Sequence, residues 1–90
     1  MQVGAGVLRW IEESHLDLHE ARALLALNAS GRAMTAAEVA ELAGLDLNSA
    51  YQAVHKLHGL RLTCEDSRRH ELSARGRELM RSFSGGLTAA

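Results

Sequence analysis

The sequence predicts a mainly α-helical fold carrying one small β-hairpin. Composition is the first reason: of 90 residues, 47% are apolar, yet the chain has only one Trp, one Tyr and one Phe and no proline. Leu and Ala dominate, which favours helices over a sandwich or barrel, and no proline interrupts them. The second reason is apolar residues recurring at three- and four-residue steps in several segments. The third is one short stretch, Leu60 to Thr63, where apolar and polar residues alternate as in a strand. Ninety residues make a single domain over 1–90 with a modest core.

Residues 1–6 read as a loose start. Val7, Leu8, Trp10 and Ile11, opposite Glu12 and Glu13, predict a first amphipathic helix over roughly residues 5–14. A turn at 14–17 follows. Asp17 is an N-cap with Glu20 at the capping-box spacing. Leu18, Ala21, Leu24, Leu25 and Asn28 then mark the buried stripe of a second helix, closed by Ser30 and Gly31. Ala33 and Met34 form a very short extended segment. Thr35 caps a third helix, again with Glu38 at the capping-box position, and Ala36, Val39, Ala40 and Ala43 make a face small enough for a close helix crossing.

Gly44 and Leu45 supply the next turn. Asp46 caps the segment 46–58, DLNSAYQAVHKLH, in which Leu47, Ala50, Val54 and Leu57 form the buried stripe and Gly59 ends the helix. Its other face carries Asn48, Ser49, Tyr51, Gln52, His55 and Lys56. A helix, a short glycine-containing turn and a second helix match the helix-turn-helix signature. Leu60 to Thr63 is the first hairpin strand, residues 65–68 the turn, and Arg69 to Leu72 the returning strand. Ser73 caps a last helix from Ala74 to about Phe83, with Leu79, Met80 and Phe83 turned inward. Residues 84–90 read as a flexible tail. This order is that of a winged helix-turn-helix: a three-helix core plus wing, with N- and C-terminal helices.

The chain also resembles the winged-helix core of MarR-like bacterial transcriptional regulators. The matching text is TAAEVAELAGL at 35–45, LHGL at 57–60, DSRR at 66–69 and ELSARGREL at 71–79. The last piece is similar to the family's leucine, Ser/Thr, two residues, glycine run. The resemblance implies a sequence-specific double-stranded DNA-binding protein. It also implies that a wing arginine following an acidic residue enters the minor groove or grips phosphate, with Asp66 orienting Arg68 or Arg69.

The residues by themselves point the same way. Asn, Gln and Lys have defined base pairings in the major groove, so the segment 47–58 is expected to be a recognition helix; the resemblance further implies that the wing, 61–72, lies on the minor groove or phosphates. Asn48, Ser49, Gln52 and His55 are the expected base contacts. Tyr51 and Lys56 are expected at phosphate, as are Thr35 and Ser49, which sit at helix N-termini. The formal net charge is −1, but residues 1–45 hold three Arg against six acids and residues 46–90 hold seven Lys or Arg against five. The positive half contains the proposed recognition helix, though it is far from strongly basic. A winged helix used for protein–protein contact is the alternative.

Other functions find little support. The pairs His15 and His19, and His55 and His58, do not converge with Cys64 on a three- or four-ligand site, so no metal or cofactor is expected. No phosphate loop, nucleophile motif or paired carboxylates suggests an enzyme. The lone Cys64, the absence of a signal-peptide pattern and the lack of about 20 consecutive apolar residues predict a cytoplasmic protein without membrane contact. A homodimer is expected, because one helix reads only a few base pairs and two-fold pairing doubles the contacts. Trp10, Ile11, Leu79 and Phe83 are the expected dimer surface.

Overall fold

Four helix starts in the described chain are fixed by a side-chain oxygen. The computed structural model describes residues 16–88, with side chains described for residues 16–82. The first helix expected from the sequence, with Trp10 and Ile11, and the side chain of Phe83 lie outside them. Helix α1 spans Leu18–Ser30; Asp17 accepts from the Glu20 amide at 2.8 Å, while the Glu20 carboxylate accepts from the Asp17 amide at 3.3 Å. Strand β1, Met34–Thr35, leads into helix α2, Ala36–Ala43, where Thr35 and Glu38 make the same reciprocal box. Gly31 and Gly44 end these two helices with φ of 63° and 70°, the left-handed conformation that glycine adopts without steric cost. Helix α3, Leu47–Gly59, is capped by Asp46. Strands β2, Thr63–Asp66, and β3, Arg69–Leu72, follow, and helix α4, Ala74–Thr88, completes the order. Ser73 caps α4 by accepting from the Gly76 amide at 3.1 Å.

The core is the meeting of α1, α2 and α3, closed from one side by the sheet and α4. Leu24, Leu57, Val39 and Val54 are its fully buried apolar centre. The stripe of α1 is wider than its sequence suggested: Ala21, Leu24 and Leu27 are buried, but so are Ala23 and Ala26, because the helix is flanked by two others. Asn28 and Leu18, expected in that stripe, are exposed. On α3, Ala50, Ala53, Val54 and Leu57 are buried, whereas Leu47 is 49% exposed. Leu47 is the first residue of the helix, immediately after the turn, and its side chain remains largely in solvent.

The end of α3 also differs from expectation. Gly59 lies inside the helix and Leu60 is its C-cap; the left-handed residue is Arg61, with φ 63°. The Arg61 amide donates to the His58 carbonyl at 2.9 Å and the Leu62 amide to the Leu57 carbonyl at 3.0 Å. Those two bonds are the Schellman pattern, with buried Leu62 and Leu57 as the apolar pair that accompanies it. Leu60 to Leu62 therefore alternate because they terminate a helix, and the first wing strand begins later, at Thr63.

The sheet is antiparallel with order β1–β3–β2. Met34 pairs with His70 on one side, and Glu65 pairs with His70 on the other. The turn between β2 and β3 is only Ser67 and Arg68, with φ of 52° and 66°. Two successive positive φ values are the geometry of a type I′ turn, whose twist matches a hairpin. The broad turn expected at 65–68 thus narrows to two residues, and the hairpin occupies 63–72 of the expected 61–72. Helix α4 continues to Thr88, past the end expected near Phe83. Met80 is buried and Leu79 half-buried.

Candidate nucleic-acid interface

Helix α3 is anchored along one side and open along the other. Gly44, Leu45 and Asp46 join it to α2, and its buried alanine, valine and leucine side chains fasten it to α1 and α2. On the open side Asn48, Tyr51, Gln52, His55 and Lys56 are exposed. Asn48, Gln52 and Lys56 follow one another at four-residue steps, so their side chains make one row along the helix. Tyr51, which could equally have packed inward, is 57% exposed.

Two of the expected contacts have their polar atoms occupied. The Ser49 amide and hydroxyl both donate to Asp46, at 2.7 and 3.0 Å. That bond from the Ser49 amide, aided by the hydroxyl, holds the Asp46 carboxyl below its ordinary value. Thr35 is likewise engaged: its hydroxyl oxygen accepts from the Glu38 amide at 3.2 Å, and its own amide donates to Glu38 Oε1 at 3.0 Å. These two N-termini already hold a carboxylate, which occupies the donors expected to hold phosphate.

The basic side chains fall into two groups. Lys56 Nζ lies 3.4 Å from Glu20 Oε2. Glu20 is a buried carboxylate, and burial, with Asp17 beside it, raises its pKa above the ordinary value although Lys56 opposes the shift. Arg69 Nη1 lies 3.2 Å from Glu38 Oε1, and Arg32 Nη1 lies 3.4 Å from Glu38 Oε2. The Thr35 amide is the main reason the Glu38 carboxyl titrates low, and the two arginines add to it. Arg68 is exposed at the hairpin tip and, among the described residues, has no carboxylate partner. Asp66 was expected to orient a wing arginine. It instead accepts from the Ser67 hydroxyl at 3.5 Å, and Glu38 takes the role for Arg69.

A cleft of about 430 Å³ separates α3 from the hairpin, lined by Tyr51, Val54, His55, His58, Gly59, Glu65 and His70. Sequence reasoning left His70 aside, because a strand residue between Arg69 and Glu71 gives no local sign of burial beyond its alternation. It is 7% exposed; its Nε2 lies 3.5 Å from Glu65 Oε1, and its Nδ1 is buried without a hydrogen-bond partner. Burial lowers its pKa, His58 adds to the shift, and Glu65 opposes it. An unfolded chain therefore takes up a proton at this site before the folded one does. Stability from this group is intact above the unfolded value of about 6.5 and is lost as pH falls from there through the lowered folded value. Glu20, with a raised pKa, acts in the opposite sense, since protonation relieves its burial. Urea midpoints at roughly pH 7.5 and roughly pH 5.5 should accordingly fall further for the wild type than for His70→Gln. An equal fall would show that His70 does not carry the acid sensitivity.

Among the described residues, no group of three or more His, Cys, Asp or Glu side chains is arranged to hold a metal ion, and Cys64 is free and exposed. No described helix is long and apolar enough to cross a membrane.

No family model matches this chain, and no curated protein sequence matches it. Solved structures do. A Mycobacterium tuberculosis protein aligns with a TM-score of 0.75 at 19% identity, over 89% of this chain and 59% of its own. Two MarR family transcriptional regulators from Silicibacter pomeroyi align with a TM-score of 0.74, at 20% and 22% identity, over 90% and 93% of this chain. The chain spans 58% and 65% of those two regulators. The described chain has a MarR-like winged-helix fold.

Proposed function

We propose that this chain is the sequence-specific, double-stranded DNA-binding part of a bacterial transcriptional regulator, acting as a homodimer in the cytoplasm. In this reading α3 enters the major groove, and the β2–β3 hairpin lies on the minor groove or the phosphates. Asn48, Gln52 and His55 face base edges. Tyr51 and Lys56 lie toward the backbone, and Arg68 extends from the wing tip. A narrow minor groove, where the potential is most negative, is where such an arginine is favoured. Two copies would present their α3 helices to half-sites about 34 Å apart.

One observation carries the reading. The amide-bearing row of α3 is open to solvent while the opposite side of the same helix is locked in the core, and a hairpin with an unpaired arginine at its tip follows directly. That two structurally similar Silicibacter proteins are MarR family transcriptional regulators agrees with it. The net charge of −1 and the intramolecular pairing of Lys56 and Arg69 favour a second reading, a winged helix that contacts another protein.

Fluorescence anisotropy against a random-sequence duplex pool, at two salt concentrations and with molar mass measured alongside, separates the two. DNA binding predicts that the logarithm of the affinity falls linearly with the logarithm of the salt concentration. Gln52→Ala should cost about 1–3 kcal/mol at a preferred site and relax the preference there, while Arg68→Ala should weaken duplexes generally, most where the minor groove is narrow, and reduce the salt slope by about 0.9. Unchanged binding by both variants would mean that α3 and the wing are not the reading surface.

A further inference from the structure

We infer that Glu38 is an intramolecular stand-in for DNA phosphate, holding Arg69 and Arg32 in the free protein and yielding them when a duplex arrives. This rests on the DNA-binding reading above. Glu38 has two separable roles. Its backbone amide and carboxylate complete the capping box with Thr35, which is a local helix function. The same carboxylate also reaches Arg69, next to the turn at the wing tip, and Arg32 ahead of β1, each through one guanidinium nitrogen. Capping uses the carboxylate oxygen as an acceptor, and an uncharged amide oxygen would serve as well. Holding two arginines uses its charge.

The contrast with Glu20 shows why Glu38 is the exchangeable partner. Glu20 is also a capping-box residue that pairs with a cation, Lys56. Its side chain is only 2% exposed, so withdrawing Lys56 would leave a buried charge without a counterion, which is costly. The Lys56–Glu20 pair therefore ties α3 to α1 and stays in place, and only the remaining donors of the exposed Lys56 ammonium are free for a phosphate. Glu38 has a side chain 35% exposed, and Arg69 and Arg32 are 50% and 63% exposed. Ion pairs this open are weak and water can replace either partner. A phosphate oxygen offers Arg69 the same geometry with a full duplex behind it. Glu38 thus lowers the affinity for any duplex without selecting a sequence, so that the contacts of α3 with base edges weigh more in the total.

The test is Glu38→Gln, which keeps an acceptor at the capping-box position and removes the charge. Glu41→Gln, an exposed acid on the same helix without an ion pair among the described residues, controls for net charge. Binding of the intact chain to the random-sequence duplex pool is measured across a salt series. Glu38→Gln should bind about threefold to tenfold more tightly at low salt, with a gain that shrinks as salt rises, because the ion pairs it removes are themselves screened. In a background carrying both Arg32→Gln and Arg69→Gln the same change should lose most of its effect. Glu38→Gln behaving like Glu41→Gln, in affinity and slope, would overturn the inference while leaving DNA binding intact. A wild type that binds no duplex at any salt in the series would overturn both.

Discussion

Gly76→Ala is expected to destabilise the domain by about 3 kcal/mol or more, a loss at the upper end of what overpacking costs. The sign is what makes the result informative. In an ordinary helix interior, alanine is better than glycine by about 1 kcal/mol. Here a Cβ on Gly76 would lie 2.1 Å from the Leu62 carbonyl oxygen and 3.1 Å from its carbon, with Leu72 Cδ2 at 3.4 Å. The obstacle is backbone, and that backbone is held: the Leu62 carbonyl accepts from the Ser73 amide at 3.0 Å, and the Ser73 hydroxyl donates to the Arg61 carbonyl at 2.6 Å. Moving Leu62 aside would disturb the end of α3, the start of β2 and the cap of α4 together. For a domain of this size the loss corresponds to a fall in Tm of at least about 12 °C. A thermal melt showing a rise would mean that α4 does not sit this close to Leu62.

Leu57→Ala should have an effect of similar size. Leu57 is fully buried on α3, and its carbonyl accepts from the Leu62 amide in the Schellman turn. Truncating a buried leucine costs about 2–5 kcal/mol through lost transfer energy and the cavity left behind. For a small domain that is a large share of the total stability. Because α3 is attached through this face, duplex binding should decline with the folded fraction. Leu47→Ala is the companion measurement. The two leucines belong to one stripe in the sequence pattern, but Leu47 is 49% exposed, and its loss should stay within about 0.5 kcal/mol. Urea unfolding of the two variants checks both values. Equal losses would contradict the placement of the first turn of α3.

How much of this was legible in the sequence depended on the range of each signal. The caps Asp17, Thr35, Asp46 and Ser73 act on amides three residues away, so spacing along the chain was enough to find them. The buried faces of α2 and of most of α3 followed from periodicity. Leu60 to Thr63 misled because two physical causes, a strand and a Schellman ending, produce the same apolar–polar alternation. Gly59 misled because glycine is the usual left-handed residue, whereas the bonds to Leu57 and His58 place that conformation at Arg61. The candidate interface was legible as a set of exposed polar residues on one helix. Which of its cations are already paired was not: Glu38 and Arg69 are 31 residues apart, and only the sheet brings β3 alongside the start of α2. His70 was missed for the same reason, since its burial comes from α3 and β2 rather than from its neighbours in the chain.

The position of α3 in a duplex can be mapped directly by following backbone amide shifts of isotope-labelled protein as DNA is added. The largest changes are expected on residues 47–56 of α3 and on Ser67 and Arg68, with little change along the inner face of α1. Changes confined to α4, or none at DNA concentrations well above those of the anisotropy titration, would contradict the placement of α3 in a duplex.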